Sequence, residues 1–307
     1  MKKTLSPIVF FGSGPVAAES LQQLSKHFTV EAVVTKPRPP HHKGDVPVLR
    51  IAESLRLPIH TVTNKRSLDA LMDTKPFESK LAILIDFGII VSQAAINYFP
   101  YGIINSHFSL LPEWRGADPI SFAILSGQQT TGVSLMLLTA GMDEGPLLAQ
   151  APQEINHSTT TPSLTEQLIE ISTASLVQIV PLYIEGAVTP APQEAVSISE
   201  VQEPTYSRKL DKADSIIDWN KPADVLEREI RAFIEWPKSR TTLGGKDIVI
   251  TKAHVVDLAG NPGNVIIKDK QLIISCGQNA LAIDLLKPVG KKEMTSQAFL
   301  AGHRDLL

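Results

Sequence analysis

Short, uninterrupted apolar runs recur through the first half of this chain, spaced to leave room for one helix between them, and this recurrence restricts the fold more than any other feature. Residues 7–11 (PIVFF) meet Gly12, Ser13, Gly14 and Pro15, after which residues 16–24 carry apolar side chains at helical spacing. Further β-rich runs follow at 30–35 (VEAVVT), 59–62, 81–85 (LAILI), 102–104 and 132–138 (GVSLMLL), with short helices expected at 48–55 and from 93–95. Strands buried on both faces of a parallel sheet read this way, because crossover helices cover each face. An α/β fold with a parallel-rich sheet is expected.

The pattern then changes. A long helix is expected over about residues 164–183, and residues 187–206, with Pro190, Pro192 and Pro204 and no periodicity, read as a linker. Beyond it, residues 223–233 are amphipathic, and 247–250, 264–267, 271–275 and 281–285 are short β-rich segments between turns. A small open barrel is the closure that leaves few exposed edges. The expected division is a first domain at 1–186, a linker at 187–206 and a second domain at 207–307. Residues 1–203 hold 13 Lys plus Arg against 19 Asp plus Glu, whereas residues 204–307 hold 16 against 13. The sign change is that of a second domain approaching a phosphate backbone.

With 43% of 307 residues hydrophobic and 20% charged, wholesale disorder is excluded. The single cysteine, Cys276, excludes an internal disulfide framework and cysteine-rich metal centres; it fits a reducing compartment, so a cytoplasmic location is expected. The apolar run behind Lys2 and Lys3 is too short for a signal-peptide core. Runs such as 81–85 and 88–91 are far shorter than the roughly twenty residues that cross a bilayer, and no membrane partner is expected.

Several residues could carry chemistry. Gly12 and Gly14 at a strand-to-helix turn would let backbone N–H groups approach an anion, although a tight turn alone explains them equally. Asn105 and His107, two apart after the run 102–104, face one side if the strand continues. An amide can donate to a developing oxyanion and an imidazole can serve as acid, base or cation near neutral pH; a polar strand end fits the same letters. Residues 109–120 (SLLPEWRGADPI) form an apolar segment without period, read either as a cover for the sheet or as a site loop behind that pair. Asp143 in GMDEG (141–145) could orient His107 or accept a proton, or belong to a surface turn. Cys276 is read as packing. No GxSxG, HExxH or P-loop pattern occurs, and the adjacent His41 and His42 lack a third ligand, so no metal site is expected.

NSHFSLLPEWRGADPI (105–120), followed by GMDEG (141–145), resembles the folate-dependent formyltransferase family across almost the whole chain. YSRKLDKADSIIDWN (206–220), IRAFIEWP (230–237) and GKKEMTSQAFL (290–300) are similar, within it, to the methionyl-tRNA formyltransferases. The resemblance implies a Rossmann-like domain that binds 10-formyltetrahydrofolate and an OB-like open β-barrel that binds tRNA. It implies catalytic roles for Asn105, His107 and Asp143, a folate loop at Asp86, Phe87, Gly88, Ile89 and Ile90, and a tetrahydrofolate lining at Ser109, Leu110, Leu111 and Pro112. The expected reaction is formyl transfer from 10-formyltetrahydrofolate to the α-amino group of initiator methionyl-tRNA, by a monomer without a metal. An amino sugar nucleotide as acceptor, and a catalytically silent tRNA-binding protein, are the alternatives.

Candidate phosphate contacts are Arg38, His41, His42 and Lys43 in the first domain, and Lys209, Lys212, Arg228, Arg231, Lys246, Lys291 and Lys292 in the second. The chain departs from the family at Phe108, where a glycine is usual, at Pro146, where Asp is frequent, and in residues 37–47, a shorter and less basic loop.

Overall fold

The computed structural model describes residues 5–40, 44–199, 201 and 203–303. In chain order the first half carries β1 (Leu5–Phe11), α1 (Pro15–Leu24), β2 (Phe28–Thr35), α2 (Pro47–Ser54), β3 (Ile59–Thr61), α3 (Lys65–Asp73), β4 (Ala82–Leu84), α4 (Gln93–Asn97) and β5 (Ile103–His107). Then come β6 (Arg115–Gly116), α5 (Pro119–Ser126), β7 (Thr130–Leu137), β8 (Leu147–Glu154), α6 (Thr161–Ile184), α7 (Gln193–Val196) and β9 (Tyr206–Ser207). The remainder holds a 3-10 turn at Lys212–Ser215, α8 (Ala223–Ala232), β10 (Ser239–Leu243), β11 (Lys246–Val256), β12 (Val265–Lys268), β13 (Gln271–Ser275), β14 (Ala280–Pro288), β15 (Met294–Thr295) and α9 (Ser296–His303).

The chain divides into two compact units. The first comprises Met1–Gly116, Thr131–Glu154 and Thr165–Tyr206; the second comprises Ala117–Thr130, Ile155–Leu164 and Ser207–Leu307. Residues 187–206 are thus part of the first unit, where Ala191 and Leu147 exchange backbone hydrogen bonds of 2.8 and 3.0 Å.

In the first unit the strand order is β3-β2-β1-β4-β5-β7-β8. The strands from β3 to β5 are mutually parallel, as their apolar runs predict. β7 is the exception and pairs antiparallel with β5. Its connection contains the eight-residue α5, which belongs to the second unit. The apolar faces bury Val9, Phe11, Val34, Leu84 and Ile103 with Phe77, Phe87 and Phe99 in one core. Phe11 meets Phe87 edge-on, with ring centroids 5.4 Å apart. Glu31 on β2 accepts from the N–H groups of Glu78 and Ser79 at 2.8 and 2.7 Å. Burial alone would raise its pKa; hydrogen bonds from Ser79 and from those backbone groups outweigh it and hold the carboxyl below its ordinary range.

α6 is 24 residues long and apolar enough, by length and composition, to cross a membrane. Its Leu164, Leu168, Ile169, Leu176 and Val180 are nevertheless buried within the protein, as in the core helix of a folded domain.

The second unit is an antiparallel sheet in the order β10-β11-β14-β13-β12, with β15 on β14. Leu226 and Ile230 of α8 and Phe299 of α9 pack with Ile248, Ile250, Leu272, Ile274 and Ile283. Cys276 lies in that core, and burial pushes its thiol up to about 11. The four expected β-rich segments correspond to β11 to β14, with Asn264 one residue ahead of β12.

Candidate functional site

The order of the first sheet reverses at β1: the chain steps outward to β2 and β3, then returns on the other side of β1 to β4 and β5. Ligands of open α/β sheets collect beyond the carboxyl ends of the strands at such a reversal. The Gly12–Gly14 turn and the segment after β4 meet there. Ser13 and Gly14 N–H donate to the Asp86 carbonyl at 2.9 and 3.3 Å, and the Ser13 hydroxyl donates to the Phe87 carbonyl. A Cβ on Gly14 would lie 1.6 Å from Asp86 Oδ2, so this glycine makes room for a carboxylate. The turn that could have cradled a soluble anion is filled by the protein itself.

One strand further on, β5 presents Asn105 and His107 on a single face, 6% and 7% exposed. The intervening Ser106 turns the other way, and its hydroxyl lies 2.7 Å from that of Ser172 on α6. Asp143 reaches this face by a route that parallel crossovers would not give. Because β7 is antiparallel, it ends with Leu137 beside Ile104, and the following turn carries Asp143 back along β5. Asp143 holds a left-handed backbone, φ +49°, a conformation that persists in a non-glycine residue only when its surroundings over-determine it.

Those surroundings are specific. Gly116 N–H donates to Asp143 Oδ2 at 2.8 Å and Asn105 Nδ2 donates to Asp143 Oδ1 at 3.3 Å. His107 Nδ1 stands 3.8 Å from Asp143 Oδ2, an ion-pair distance when the ring is charged and too long for a direct hydrogen bond. The other ring nitrogen, Nε2, is 2.9 Å from the Trp114 carbonyl. A carbonyl only accepts, so Nε2 carries hydrogen and the Nδ1 edge is the one turned toward the carboxylate.

The loop behind the pair is a hydrogen-bonded body. Ser109 Oγ donates to the Glu113 carbonyl at 2.5 Å, and Ser134 Oγ both accepts from Leu111 N–H at 2.9 Å and donates to the Ser109 carbonyl at 2.7 Å. Gln150 Nε2 and Ser197 Oγ donate to the Leu111 carbonyl at 2.9 and 2.5 Å. Ser109, Leu110, Leu111 and Pro112 are buried. Phe108, the departure next to His107, is also buried, at 5% exposure.

A family model described as formyl transferase matches residues 7–180, and one described as formyl transferase, C-terminal domain, matches residues 209–304. The chain belongs to the formyl transferase family. The methionyl-tRNA formyltransferase of Magnetococcus marinus is 33% identical over 302 residues, covering 96% of this chain and 95% of its own. That of Xanthomonas campestris is 35% identical over 309 residues, covering 97% and 98%. Among solved structures, the N-formyltransferase from Helicobacter canadensis in complex with folinic acid and dTDP-3-aminofucose aligns with a TM-score of 0.66 at 18% identity, covering 91% of this chain and 99% of that one. That likeness is one of fold.

Within this formyl transferase the remaining expected residues divide by exposure. Asp86, Gly88 and Ile90 are exposed, Ile90 at 76%, and Ile89 is half-buried, whereas Phe87 is a core residue at 2%. Met142, beside Asp143, is 64% exposed. Arg38 is exposed and donates to the Gly44 carbonyl at 3.3 Å; His41, His42 and Lys43 lie outside the described residues. Lys209, Lys212, Lys246, Lys291 and Lys292 are exposed. Arg228 is tied to Asp224 at 2.9 Å, and Arg231 to Glu227 at 2.7 Å and to the Thr159 carbonyl at 2.7 Å. Neighbouring Arg208 grips Asp214 at 2.5 Å, and that hydrogen bond holds the Asp214 carboxyl below its usual range. Sequence reasoning placed Trp114 and Gly116 only as members of the 109–120 site loop and did not single out Ser134, Gln150 or Gln193; each acts through a backbone group or a neutral side chain, which leaves no compositional mark.

Proposed function

We propose that this chain transfers the formyl group of 10-formyltetrahydrofolate to the α-amino group of methionine esterified to initiator tRNA. The observation that carries the chemical half is the convergence of Asn105, His107 and Asp143, up to 38 residues apart in sequence, on one face of β5. The tRNA half rests on the relatives named methionyl-tRNA formyltransferase, aligned over nearly the whole chain.

The chain's residues have distinct tasks in this reading. His107, fixed through Nε2 to Trp114, directs Nδ1–H of its protonated ring into the site beside the free hydrogen of the Asn105 amide. Together they donate to the formyl oxygen as it gains negative charge during attack by the neutral amine. The Asp143 carboxylate faces the Nδ1 edge of the ring and takes the proton that the amine sheds. The proton held by Asp143 then passes to the departing tetrahydrofolate nitrogen, which restores the carboxylate, and no covalent enzyme intermediate is needed. Asp86, Gly88, Ile89 and Ile90 offer surface to the donor, while Phe87, Ser109, Leu110, Leu111 and Pro112 hold the walls from the core side. Among the described residues no group of three or more His, Cys, Asp or Glu side chains is placed to hold a metal ion.

Phosphate contact falls to the exposed lysines Lys209, Lys212, Lys246, Lys291 and Lys292 rather than to Arg228 and Arg231, whose guanidinium groups are already paired. Affinity for tRNA therefore falls as salt rises. The deciding experiment supplies 10-formyltetrahydrofolate with methionyl-initiator tRNA, methionyl-elongator tRNA or a dTDP-amino sugar. Formylation of the initiator species alone is expected; transfer to the sugar nucleotide, or to neither tRNA, overturns the reading.

A further inference from the structure

Gln193 has no part in the chemistry above, and it lies in the stretch between the two matched family models, which end at 180 and resume at 209. It is 2% exposed, at the first position of α7. Its carboxamide is fully engaged. Nε2 donates one hydrogen to the Asp143 carbonyl at 2.8 Å and the other to the Gly145 carbonyl at 3.0 Å, while Oε1 accepts from Arg115 Nη2 at 2.8 Å. Two donors and an acceptor on one rigid plane are what a primary amide supplies and what neither a carboxylate nor a hydroxyl can.

The partners of this amide belong to the two segments that define the carboxylate of the site. Asp143 and Gly145 bracket the left-handed turn, and Arg115 precedes Gly116, whose N–H holds Asp143 Oδ2. We infer that Gln193 is a positioning residue for Asp143, locking the turn that carries it to the segment that grips its carboxylate. The inference rests on the reading of Asp143 as the partner of His107. Without the two N–H donors nothing else described fixes both carbonyls, and a strained aspartate backbone is free to relax toward an ordinary region, swinging the carboxylate off the β5 face.

Gln193→Glu is the diagnostic substitution, because it keeps the shape and the acceptor for Arg115 but removes both donors and sets a carboxylate against two carbonyl oxygens. Gln193→Met keeps the volume and removes all three hydrogen bonds, and serves if the glutamate variant does not fold. Formyl transfer to methionyl-initiator tRNA is measured for each, alone and combined with Asp143→Asn, with thermal melting as the folding check. A displacement of about 1 Å at a reacting group costs about 100-fold, so kcat should fall by about 10- to 100-fold while the KM for 10-formyltetrahydrofolate stays within about threefold. In the Asp143→Asn background the same substitution should cost less than about threefold, because residues that act through one another are not additive. An unchanged kcat in a folded Gln193 variant, or an equal loss in both backgrounds, overturns the inference. If Asp143→Asn alone retains full kcat, it is the reading of Asp143 that fails, and the inference with it; an additive cycle on a damaged Asp143→Asn enzyme removes the inference alone.

Discussion

Replacing Gly145 by alanine should injure the fold and the reaction together, and the structure sets the size of both effects. A Cβ at this position would lie 1.8 Å from the Leu137 carbonyl oxygen, whereas real Cβ atoms keep at least 3.0 Å. The obstructing atom is backbone, in a strand pinned to β5 through the Ile104 and Leu137 pair and to the same turn by Leu137 N–H donating to the Pro146 carbonyl at 2.9 Å. The strand cannot yield cheaply, so the turn must move by about 1.2 Å. Overpacking of this kind costs about 1–3 kcal/mol, and a loss of ~2 kcal/mol lowers the melting temperature of a domain of this size by roughly 4–8 °C. The same movement breaks the 2.8 Å bond from Gly116 N–H to the Asp143 carboxylate, and a misplacement near 1 Å lowers turnover by about 100-fold. Calorimetry and single-turnover formyl transfer at saturating substrate read the two effects separately. A variant that melts within about 1 °C of the parent and reacts within about twofold would show that the turn absorbs a methyl group, and the close-approach argument would be wrong.

His107→Ala and Asn105→Ala should each lower formyl transfer by about two to four orders of magnitude, the loss expected for an acid-base group or an oxyanion donor; near-parental turnover in a folded variant refutes the role. The Glu31 carboxyl is held below its ordinary value of 4.5 when folded, so its stabilisation is complete above that value and disappears as pH falls through the lower folded-state value. Urea midpoints should therefore favour the parent over Glu31→Gln at pH 7, with the difference shrinking below pH 4.5; a difference that grows on acidification refutes this. Cys276, buried and with its thiol pushed up to about 11, should resist iodoacetamide at pH ~8 until the protein is unfolded by guanidinium, and rapid native labelling would contradict its placement.

The parts of the fold that announce themselves in the sequence are those governed by hydrophobic period. The runs of β1, β2 and β4, the stripe of α8 and the four strands from β11 to β14 are each visible as apolar spacing. What escapes it is instructive. α3 is capped by Asn64, whose side chain accepts from Ser67 N–H at 3.0 Å, a polar signal rather than an apolar one. β7 pairs antiparallel with β5, and no local spacing records that direction. The site divides along the same line: Asn105 and His107 sit on one face because a strand alternates, which two letters of sequence suffice to suggest. Asp143 meets them only through a left-handed turn, a glycine N–H and the buried amide of Gln193, all long-range consequences of packing. Residues 187–206 show the limit most clearly, since prolines and scattered polar residues read as a tether whether or not the chain is anchored.

That anchoring bears on how the protein can be taken apart. Gln193 and Ser197 hold the carbonyls of Asp143, Gly145 and Leu111, while Thr205 receives the N–H groups of Trp114 and Arg115. A fragment cut where α6 stops would take a hydrogen bond from each of these five backbone groups, of which the Leu111 carbonyl alone keeps a second donor, Gln150. Chimeras that exchange the chain beyond Thr205 should splice there, carrying residues 187–205 with the loops they fasten.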